Sequence, residues 1–273
     1  METGGKFIDI ESLIKTNKPE LYKKLPHFVI SLFKKIICED KINRLLSLYG
    51  HLYGTDFIDA VFKDLDVEIT CRGLENVVKG RRYVFAANHP LGGIDGLAVI
   101  SSVCKNFGPS KAVVNDLLMN IVNLRPVFCG VNVYGHNTPE ILRSIEELYA
   151  SDENVCVFPA GLCSRKIGGK VQDLPWKKNF IEKAVKADLP VVPVFVEALN
   201  SGFFYNTALL RKKLGIKFNY ELVLLPSEVF KFQGKPITLH FGRLVEPGEL
   251  KEISSPQKRA DFLRERTYLA KNG

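Results

Sequence analysis

From residue 66 onward, runs of apolar and often β-branched residues alternate with segments of helical periodicity. The apolar runs predict strands over residues 67–71, 83–87, 111–114, 126–133, 155–158, 191–196 and 237–241. The helical periodicity predicts helices over residues 96–106, 116–123, 139–150, 174–187 and 207–214. This repeated order predicts an α/β fold, with a largely parallel central sheet flanked by helices on both faces.

The first 65 residues have a different pattern, which predicts an N-terminal helical segment (1–65) before an α/β domain (66–273). Between Leu25 and Tyr53, apolar residues at helical spacing alternate with basic ones and predict one or two amphipathic helices. The pattern fits a helix packed on the core and a helix lying on a membrane, and the basic flanks slightly favour the membrane. Residues 256–273 predict a charged amphipathic helix, to which we assign no function.

Composition indicates a globular protein with a large core, because 46% of the 273 residues are hydrophobic and 25% are charged. Six cysteines occur without a C-x-x-C pair, so we expect buried thiols in a reducing compartment and neither disulfides nor a zinc site. Aromatic stretches at residues 200–205 and 218–226 predict either core packing or an acyl groove or bilayer contact.

The net charge of +8 suits an anionic partner, whether a membrane lipid, a nucleic acid or a phosphorylated substrate. We expect no nucleic-acid partner, because no RNA- or DNA-binding motif is recognisable. The N-terminus lacks the pattern of a signal peptide, and no apolar run approaches the roughly 20 residues that span a bilayer. The expected location is therefore cytoplasmic, peripheral on the inner face of the cell membrane.

The predicted strand 83–87 leads into a turn with candidate acid–base chemistry. His89 is held extended by Pro90, and Gly92 and Gly93 allow a turn that returns Asp95 to the imidazole. An aspartate in that place would fix the ring tautomer and stabilise the imidazolium of a general base. Taken alone, Asp95 fits a helix cap equally well, and a lone histidine is more often a hydrogen-bonded residue at a strand end.

The predicted strand 155–158 leads into a second polar loop. Gly161 would let the backbone approach a ligand, and Ser164 and Arg165 are candidates for binding oxyanions. Lys166 adds positive charge, together with Lys170, Lys177 and Lys178. An ordinary basic surface loop is the alternative, but a parallel sheet would place this loop at the same edge as His89.

Three motifs resemble, in order and spacing, those of the PlsC-like lysophospholipid (glycerolipid) acyltransferase superfamily. They are Asn88-His89 with Asp95, the segment 158–165 and the valine–proline strand 192–194. The resemblance covers roughly residues 66–245. It is closest to the bacterial hemolysin-like or aminolipid acyltransferases, whose first motif is Asn-His-Pro-x-Gly-Gly-x-(Asp/Glu)-Gly.

The resemblance implies that His89 is the general base and Asp95 its orienting partner. It also implies an acyl donor, either acyl-CoA or acyl carrier protein, a lyso-lipid acceptor and an anionic membrane surface, with no metal, cofactor or covalent intermediate. The implied substrate-binding residues are Asn88, Gly92, Gly93, Gly161, Ser164, Arg165 and Lys166. The alternative is a lipid-binding or partner protein that keeps the fold without the activity.

This chain departs from the family pattern in ways that bear on the acceptor. Five residues separate His89 from Asp95, where the usual motif has four. Ala160 and Cys163 stand where the family has glutamate and arginine, and the second family motif, near residues 130–136, has no arginine at its end. The lost groups are those associated with a glycerol-phosphate acceptor. We therefore hypothesise that the acceptor is a lyso-aminolipid and not lysophosphatidic acid.

Overall fold

The computed structural model describes residues 7–132 and 138–272. Its strands are β1 (Ile69–Arg72), β2 (Val84–Ala87), β3 (Ser110–Asn115), β4 (Phe128–Val131), β5 (Asn154–Val157), β6 (Arg165–Ile167), β7 (Lys170–Gln172), β8 (Val191–Glu197) and β9 (Ile237–Phe241). Seven of them form one sheet, in the order β1-β9-β8-β2-β5-β3-β4, and β6 and β7 form a separate antiparallel hairpin. In the large sheet only the pairing of β8 with β9 is antiparallel among the described strands, so the predicted α/β fold is confirmed.

Helices cover both faces of this sheet. They are α1 (Ile10–Asn17), α2 (Pro19–Lys24), α3 (His27–Ile37), α4 (Glu39–Tyr49), α5 (Gly54–Asp64), α6 (Ile94–Phe107), α7 (Pro139–Ala150), α8 (Asn179–Lys186), α9 (Gly202–Lys213), α10 (Leu225–Lys231), α11 (Pro247–Glu252) and α12 (Pro256–Leu269). No helix in the described ranges is both long enough and apolar enough to cross a bilayer.

Strand β2 lies at the centre of the sheet and contributes to the cores on both faces. Phe85 and Ala87 belong to the apolar cluster under α5 and α6, whereas Val84 and Ala86 belong to the cluster under α7, α8 and α12. All four side chains are fully buried, because alternate residues of a strand point to opposite faces and both faces are covered here. The buried strand therefore holds the turn that follows it in a fixed position.

The N-terminal region forms α1 to α5. The amphipathic pattern between residues 25 and 53 is confirmed as two helices, α3 and α4, which meet at Cys38 in the left-handed conformation with φ 60°. Helix α5 packs into the main core through Phe57 and Ile58, so this helix belongs to the cover of the sheet. The domain boundary at residue 65 stays a prediction.

One predicted element near the sheet edge was wrong, and another is shorter than predicted. Residues 116–123 form no α-helix but two short 3₁₀ helices, Asp116–Asn120 and Val122–Val127. The Asn123 amide donates to the carbonyls of Gly50 and Leu52, at 3.0 and 2.6 Å, and this tertiary contact stabilises the tighter turn. The strand predicted from residue 126 begins only at Phe128, because the second 3₁₀ helix extends to Val127. Position 133 of that prediction lies outside the described residues.

Two predicted helices were displaced. The helix predicted over residues 174–187 begins only at Asn179, because the backbone N–H of Lys177 donates to the Pro159 carbonyl at 3.0 Å. The helix predicted over residues 207–214 already begins at Gly202, where the Ser201 hydroxyl accepts from the Phe204 N–H as an N-cap. The C-terminal helix is confirmed as α12, and all six cysteines are free thiols.

Candidate active site

The turn after β2 brings the two predicted catalytic residues together. Nδ1 of His89 lies 3.1 Å from Oδ2 of Asp95, which is the second residue of α6. The extra residue between them is therefore accommodated by the turn. The imidazole is 18% exposed, whereas the carboxylate is fully buried, so the histidine is the member of the pair that a substrate can reach.

Only one of the two glycines in this turn is required by its conformation. Gly92 has φ +76°, and a Cβ there would lie 2.8 Å from Cβ of Cys163. Gly93 has φ −174°, outside the left-handed region, and no atom lies within 4 Å of its Cβ position. The left-handed angle that favours glycine is thus found at Gly92 and not at Gly93.

The Asp95 carboxylate is held by backbone N–H groups of the turn and of α6. Its Oδ1 accepts from Gly93 and Gly96, each at 2.9 Å, and Oδ2 accepts from Leu91 at 2.8 Å. Asp95 therefore stabilises the start of the helix and orients His89 at the same time. The helix-capping contacts and the contact with His89, which the sequence left as alternatives, coexist in one side chain.

The charges of this pair assign the basic nitrogen of His89. Burial alone would raise the pKa of Asp95, but the imidazole and the backbone donors hold it below its usual value, so the carboxylate is ionised and only accepts. Nδ1 of the neutral imidazole therefore carries the proton and Nε2 carries the free lone pair. Burial alone would lower the pKa of His89, but the charge and hydrogen bond of Asp95 raise it above the usual value.

The loop after β5 lies against the His89 turn. The backbone N–H of Ser164 donates to the carbonyl of His89 at 2.8 Å, and the ring centroids of Phe158 and His89 are 4.5 Å apart. Strands β5 and β2 are parallel neighbours, so their following loops emerge at the same edge. The predicted meeting of the two motifs at one edge of the sheet is confirmed.

Ser164 and Arg165 are both committed to partners inside the protein. The Ser164 hydroxyl donates to Asp173 at 2.5 Å, and Ser164 is 1% exposed. Arg165 is also buried, donates to the Cys163 carbonyl at 2.7 Å and pairs with the fully buried Glu221 at 2.9 Å. This geometry favours a structural function for both side chains over the predicted binding of an oxyanion.

Exposed lysines lie in and beside the loop after β5. Gly161 has φ +68°, and a Cβ there would lie 3.1 Å from Nζ of Lys177, so the ammonium lies over the glycine backbone. Lys166 is exposed on β6, next to the hairpin turn that leads to the exposed Lys170. The assignment of Gly161 and Lys166 to substrate binding stays a prediction, and the Lys177 ammonium lies against Gly161 of the same loop.

Asn88 joins two strands of the sheet. Its Oδ1 accepts from the Val196 N–H at 2.6 Å, and its Nδ2 donates to the Val196 carbonyl at 3.1 Å. Asn88 is 3% exposed. The side chain therefore extends the hydrogen bonding between β2 and β8 and positions the residue that follows it, His89. Its predicted contact with substrate stays a prediction.

Asp173 is a buried carboxylate that the sequence reasoning missed. Its Oδ1 accepts from the backbone N–H of His89 at 3.2 Å and from the Ser164 hydroxyl, and its Oδ2 accepts from the Trp176 indole at 2.8 Å. Burial raises the pKa of Asp173, although these hydrogen bonds oppose the shift. One signal was available, because a buried tryptophan needs an acceptor and the single tryptophan of the chain stands three residues after this aspartate.

The C-terminal helix completes the surroundings of Asp173. The Tyr268 hydroxyl accepts from the backbone N–H of Asp173 at 2.7 Å, and the Arg264 guanidinium donates to its carbonyl at 2.8 Å. Helix α12, to which the sequence assigned no function, therefore fixes the segment that ties the two active-site loops together.

Replacing Asp173 with alanine is expected to lower both stability and activity. The change leaves buried donors of His89, Ser164 and Trp176 without an acceptor, at a cost of about 1–3 kcal/mol for each unsatisfied group. Urea unfolding and steady-state kinetics on the same preparation measure the two effects. Trp176→Phe is the matched control, since it removes one donor without touching the His89 backbone, and equal losses of kcat in both variants would contradict a link through His89.

The turn after β2, which carries His89, is also held by residues in and just before α9. The Asn200 amide donates to the carbonyls of Pro90 and Leu91 at 3.3 and 3.1 Å, and the Tyr205 hydroxyl donates to the Pro90 carbonyl at 3.1 Å. Tyr205 and its neighbour Phe204 are buried. This part of the aromatic stretch 200–205 therefore packs in the core, whereas Phe203 is 63% exposed.

Comparison with known proteins identifies the family of this chain. A family model described as Acyltransferase matches residues 12–273. Two lyso-glycine lipid O-acyltransferases, from Bacteroides thetaiotaomicron and Phocaeicola vulgatus, are each 38% identical over 262 residues, which cover 96% of this chain and 96% and 94% of theirs. The crystal structure of the 1-acyl-sn-glycerophosphate acyltransferase PlsC from Thermotoga maritima is 19% identical with a TM-score of 0.47, and the match covers 90% of this chain and 95% of that one. The family model and the two relatives at 38% identity confirm the acyltransferase resemblance that the sequence motifs indicated, and the chain belongs to the acyltransferase family.

Proposed function

We propose that this protein moves a fatty acyl group from an acyl thioester, either acyl-CoA or acyl carrier protein, to the hydroxyl of a lyso-aminolipid. The observation that carries the proposal is the partly exposed His89 with its Nδ1 on the buried Asp95. Two relatives at 38% identity are named lyso-glycine lipid O-acyltransferases, which supports a lyso-glycine lipid as the acceptor.

In the proposed reaction, Nε2 of His89 takes the proton of the acceptor hydroxyl as its oxygen attacks the thioester carbonyl. The carbonyl π electrons move to oxygen and give a tetrahedral oxyanion, while Asp95 stabilises the imidazolium. When the oxyanion collapses, the C–S bond breaks, the ester is formed, and the thiolate takes the proton from the imidazolium. The donor is converted to a free thiol, and His89 returns to its neutral form.

The exposed ammonium of Lys177 supports a place for negative charge at the loop after β5. It lies over the backbone of Gly161, in the loop whose Phe158 ring stacks on His89. A cation there suits either the oxyanion or the phosphates that coenzyme A and the carrier-protein arm both carry. We assign Lys177 to donor binding or oxyanion stabilisation within this proposal.

The acceptor preference follows from the groups that this chain lacks. Ala160 and Cys163 replace the family's glutamate and arginine, and the remaining Arg165 is buried and paired with Glu221, which Arg211 also contacts. A phosphate head group would therefore lack charge-assisted hydrogen bonds that are each worth about 1.5–3 kcal/mol. An acceptor without a phosphate loses nothing by their absence.

We expect kcat/KM to be about 10- to 100-fold higher for a lyso-glycine lipid than for lysophosphatidic acid, as the loss of one charge-assisted bond implies. The experiment gives the purified protein one acyl donor and both acceptors with matched acyl chains, and quantifies the diacylated products by mass spectrometry. A much higher rate with lysophosphatidic acid would overturn the assignment of the acceptor. Parallel reactions with acyl-CoA and acyl carrier protein identify the donor.

We further propose that the enzyme works on an anionic membrane surface, at the inner face of the cell membrane. The N-terminal helices expose Phe28 of α3 to 72% and Leu32 to 53%. The same region exposes Phe7, Leu13 and Leu21, and it carries the exposed lysines Lys23, Lys24 and Lys35. Apolar side chains next to lysines are typical of helices that lie in the interface of an anionic bilayer.

A further inference from the structure

We propose that the end of α9 and the turn after it, residues 209–218, form a second membrane-docking element, which binds an anionic bilayer next to the active site. We call this segment the α9 tip. The proposal deepens the function above, because it rests on an acceptor that resides in a lipid bilayer. It adds a contact outside the N-terminal helices and links that contact to the turn that carries His89.

The α9 tip exposes an unusual density of large apolar side chains. Leu214 is 62% exposed and Phe218 is 71% exposed. Leu209, Leu210 and Ile216 are exposed as well. These five apolar side chains lie within ten residues of chain and are exposed in the described structure, and a cluster of exposed apolar side chains of this kind marks an interaction site.

The charges of the α9 tip indicate which partner covers it. Lys212, Lys213 and Lys217 are exposed, and in the described residues none of them has a carboxylate within ion-pair distance. Arg211 is the exception, since its Nε lies 2.9 Å from Glu221 inside the protein. Unpaired lysines between apolar residues are complementary to an anionic bilayer. The head groups of such a bilayer would attract the lysines, and its hydrocarbon interior would receive the apolar side chains.

A second copy of this chain fits the α9 tip less well than a bilayer does. In a symmetric contact the three free lysines would face the same lysines of the partner, and the net charge of +8 on each chain would add to the repulsion. An anionic bilayer instead attracts every one of these charges. Each lysine near such a surface strengthens partitioning by about fivefold.

The base of α9 is anchored to the catalytic turn. Phe204 and Tyr205 pack with Cys163 in a buried cluster, and the Tyr205 hydroxyl donates to the Pro90 carbonyl. Helix α9 also packs against β6, the strand that begins at Arg165. Docking of the α9 tip would therefore hold the lipid surface at a set position relative to His89.

The α9 tip is linked to α3 through one short element that follows the tip in the chain. Helices α3 and α9 both pack against the same short 3₁₀ helix, Tyr220–Leu224, which follows the tip in the chain. The exposed Phe28 and Leu32 of α3 and the exposed Phe218 of the tip thus belong to neighbouring elements. Two apolar elements with basic residues define a docking face better than one helix does.

The test compares Leu214→Glu/Phe218→Glu with the matched control Val78→Glu. Val78 is 60% exposed and precedes β2, so it lies at the opposite edge of the sheet from His89. Co-sedimentation uses vesicles of phosphatidylglycerol with phosphatidylcholine and vesicles of phosphatidylcholine alone. We expect the double variant to bind the anionic vesicles at least about tenfold more weakly than the wild type. The reason is that two apolar side chains, which the docked protein would bury in the bilayer, become charged. We expect the control to bind as the wild type does.

A second variant isolates the charge contribution. Lys212→Gln/Lys213→Gln/Lys217→Gln should weaken binding to the anionic vesicles and leave the weak binding to phosphatidylcholine vesicles unchanged. In both variants, the activity with vesicle-embedded lyso-lipid should fall more than the activity with a short-chain, water-soluble lyso-lipid. Circular dichroism and the thermal midpoint check that the variants remain folded.

Unchanged vesicle binding in folded Leu214→Glu/Phe218→Glu would overturn the proposal. So would a wild-type dimer, seen by light scattering, that this variant converts to a monomer, because the tip would then bind a second copy. A wild-type protein that binds vesicles through the tip but transfers no acyl group would leave the docking proposal standing and refute the proposed function. The two failures are therefore distinguishable.

Discussion

His89→Ala is expected to lower kcat/KM for acyl transfer by about 10²- to 10⁴-fold, the range of a general base. The physical reason is that the acceptor hydroxyl must lose its proton as it attacks, and Nε2 of His89 carries the free lone pair of the buried pair. The measurement is the release of donor thiol in the presence of acceptor, followed with a thiol-reactive dye.

Folding and vesicle binding should survive this substitution, because the imidazole lies at the edge of the sheet and not within either core cluster. His51→Ala is the matched control, since His51 is an exposed histidine in the loop after α4. Near-normal acyl transfer by folded His89→Ala would refute the assignment of the base. A wild-type protein that binds lipid and transfers no acyl group would instead favour the non-catalytic alternative.

Asp95→Asn is expected to lower the maximal rate by roughly 10²- to 10⁴-fold and to move the acidic limb of the pH–rate profile to lower pH. The wild-type rate rises with pH through the His89 pKa, because only the neutral imidazole acts as a base. Asp95 holds that pKa above the usual value of 6.5 against the effect of burial. A neutral amide removes this charge, so burial dominates and the pKa falls.

The shift of the acidic limb separates an electrostatic function of Asp95 from a purely structural one. Loss of the carboxylate also disturbs the backbone hydrogen bonds at the start of α6, and misfolding alone would lower the rate at every pH without moving the limb. Asp56→Asn is the matched control, an exposed aspartate in the first turn of α5. An acidic limb that stays in place in folded Asp95→Asn would contradict the proposed pairing.

Asp95 illustrates how one side chain can satisfy two demands that a sequence presents as alternatives. Its oxygens accept from backbone donors at the helix start and from the imidazole together. Burial opposes ionisation of this carboxylate, but the charge and hydrogen bond of His89, together with the backbone donors, hold the pKa of Asp95 below its usual value. A fully buried anion can orient His89 here because the turn itself supplies the hydrogen bonds that water would otherwise supply.

The sequence by itself determined the sheet and the edge of the sheet that carries the candidate site, because both depend on the pattern of apolar and polar residues over short stretches of chain. Strand β2 reads as a continuous apolar run because it is covered on both faces, and the polar turn after it marks the carboxyl end of a parallel strand. The separation of His89 and Asp95 is also local, since six positions of chain and one required glycine suffice to join them. Because each family motif is also a short stretch of chain, the motifs could be recognised from the sequence alone.

Only the tertiary structure decided which polar residues are buried with partners inside the protein and which stay exposed. Asn88 meets Val196 across 108 positions, Asp173 meets the His89 backbone across 84, and Arg165 meets Glu221 across 56. No local pattern encodes partners at such separations, because they are brought together by the packing of strands and helices. Burial then commits Ser164 and Arg165 to these partners, since a buried polar group without a hydrogen bond costs more than the same group in water. The sequence left the stretch 218–226 open between core packing, an acyl groove and bilayer contact, and only the fold showed that Phe218 is exposed at the α9 tip.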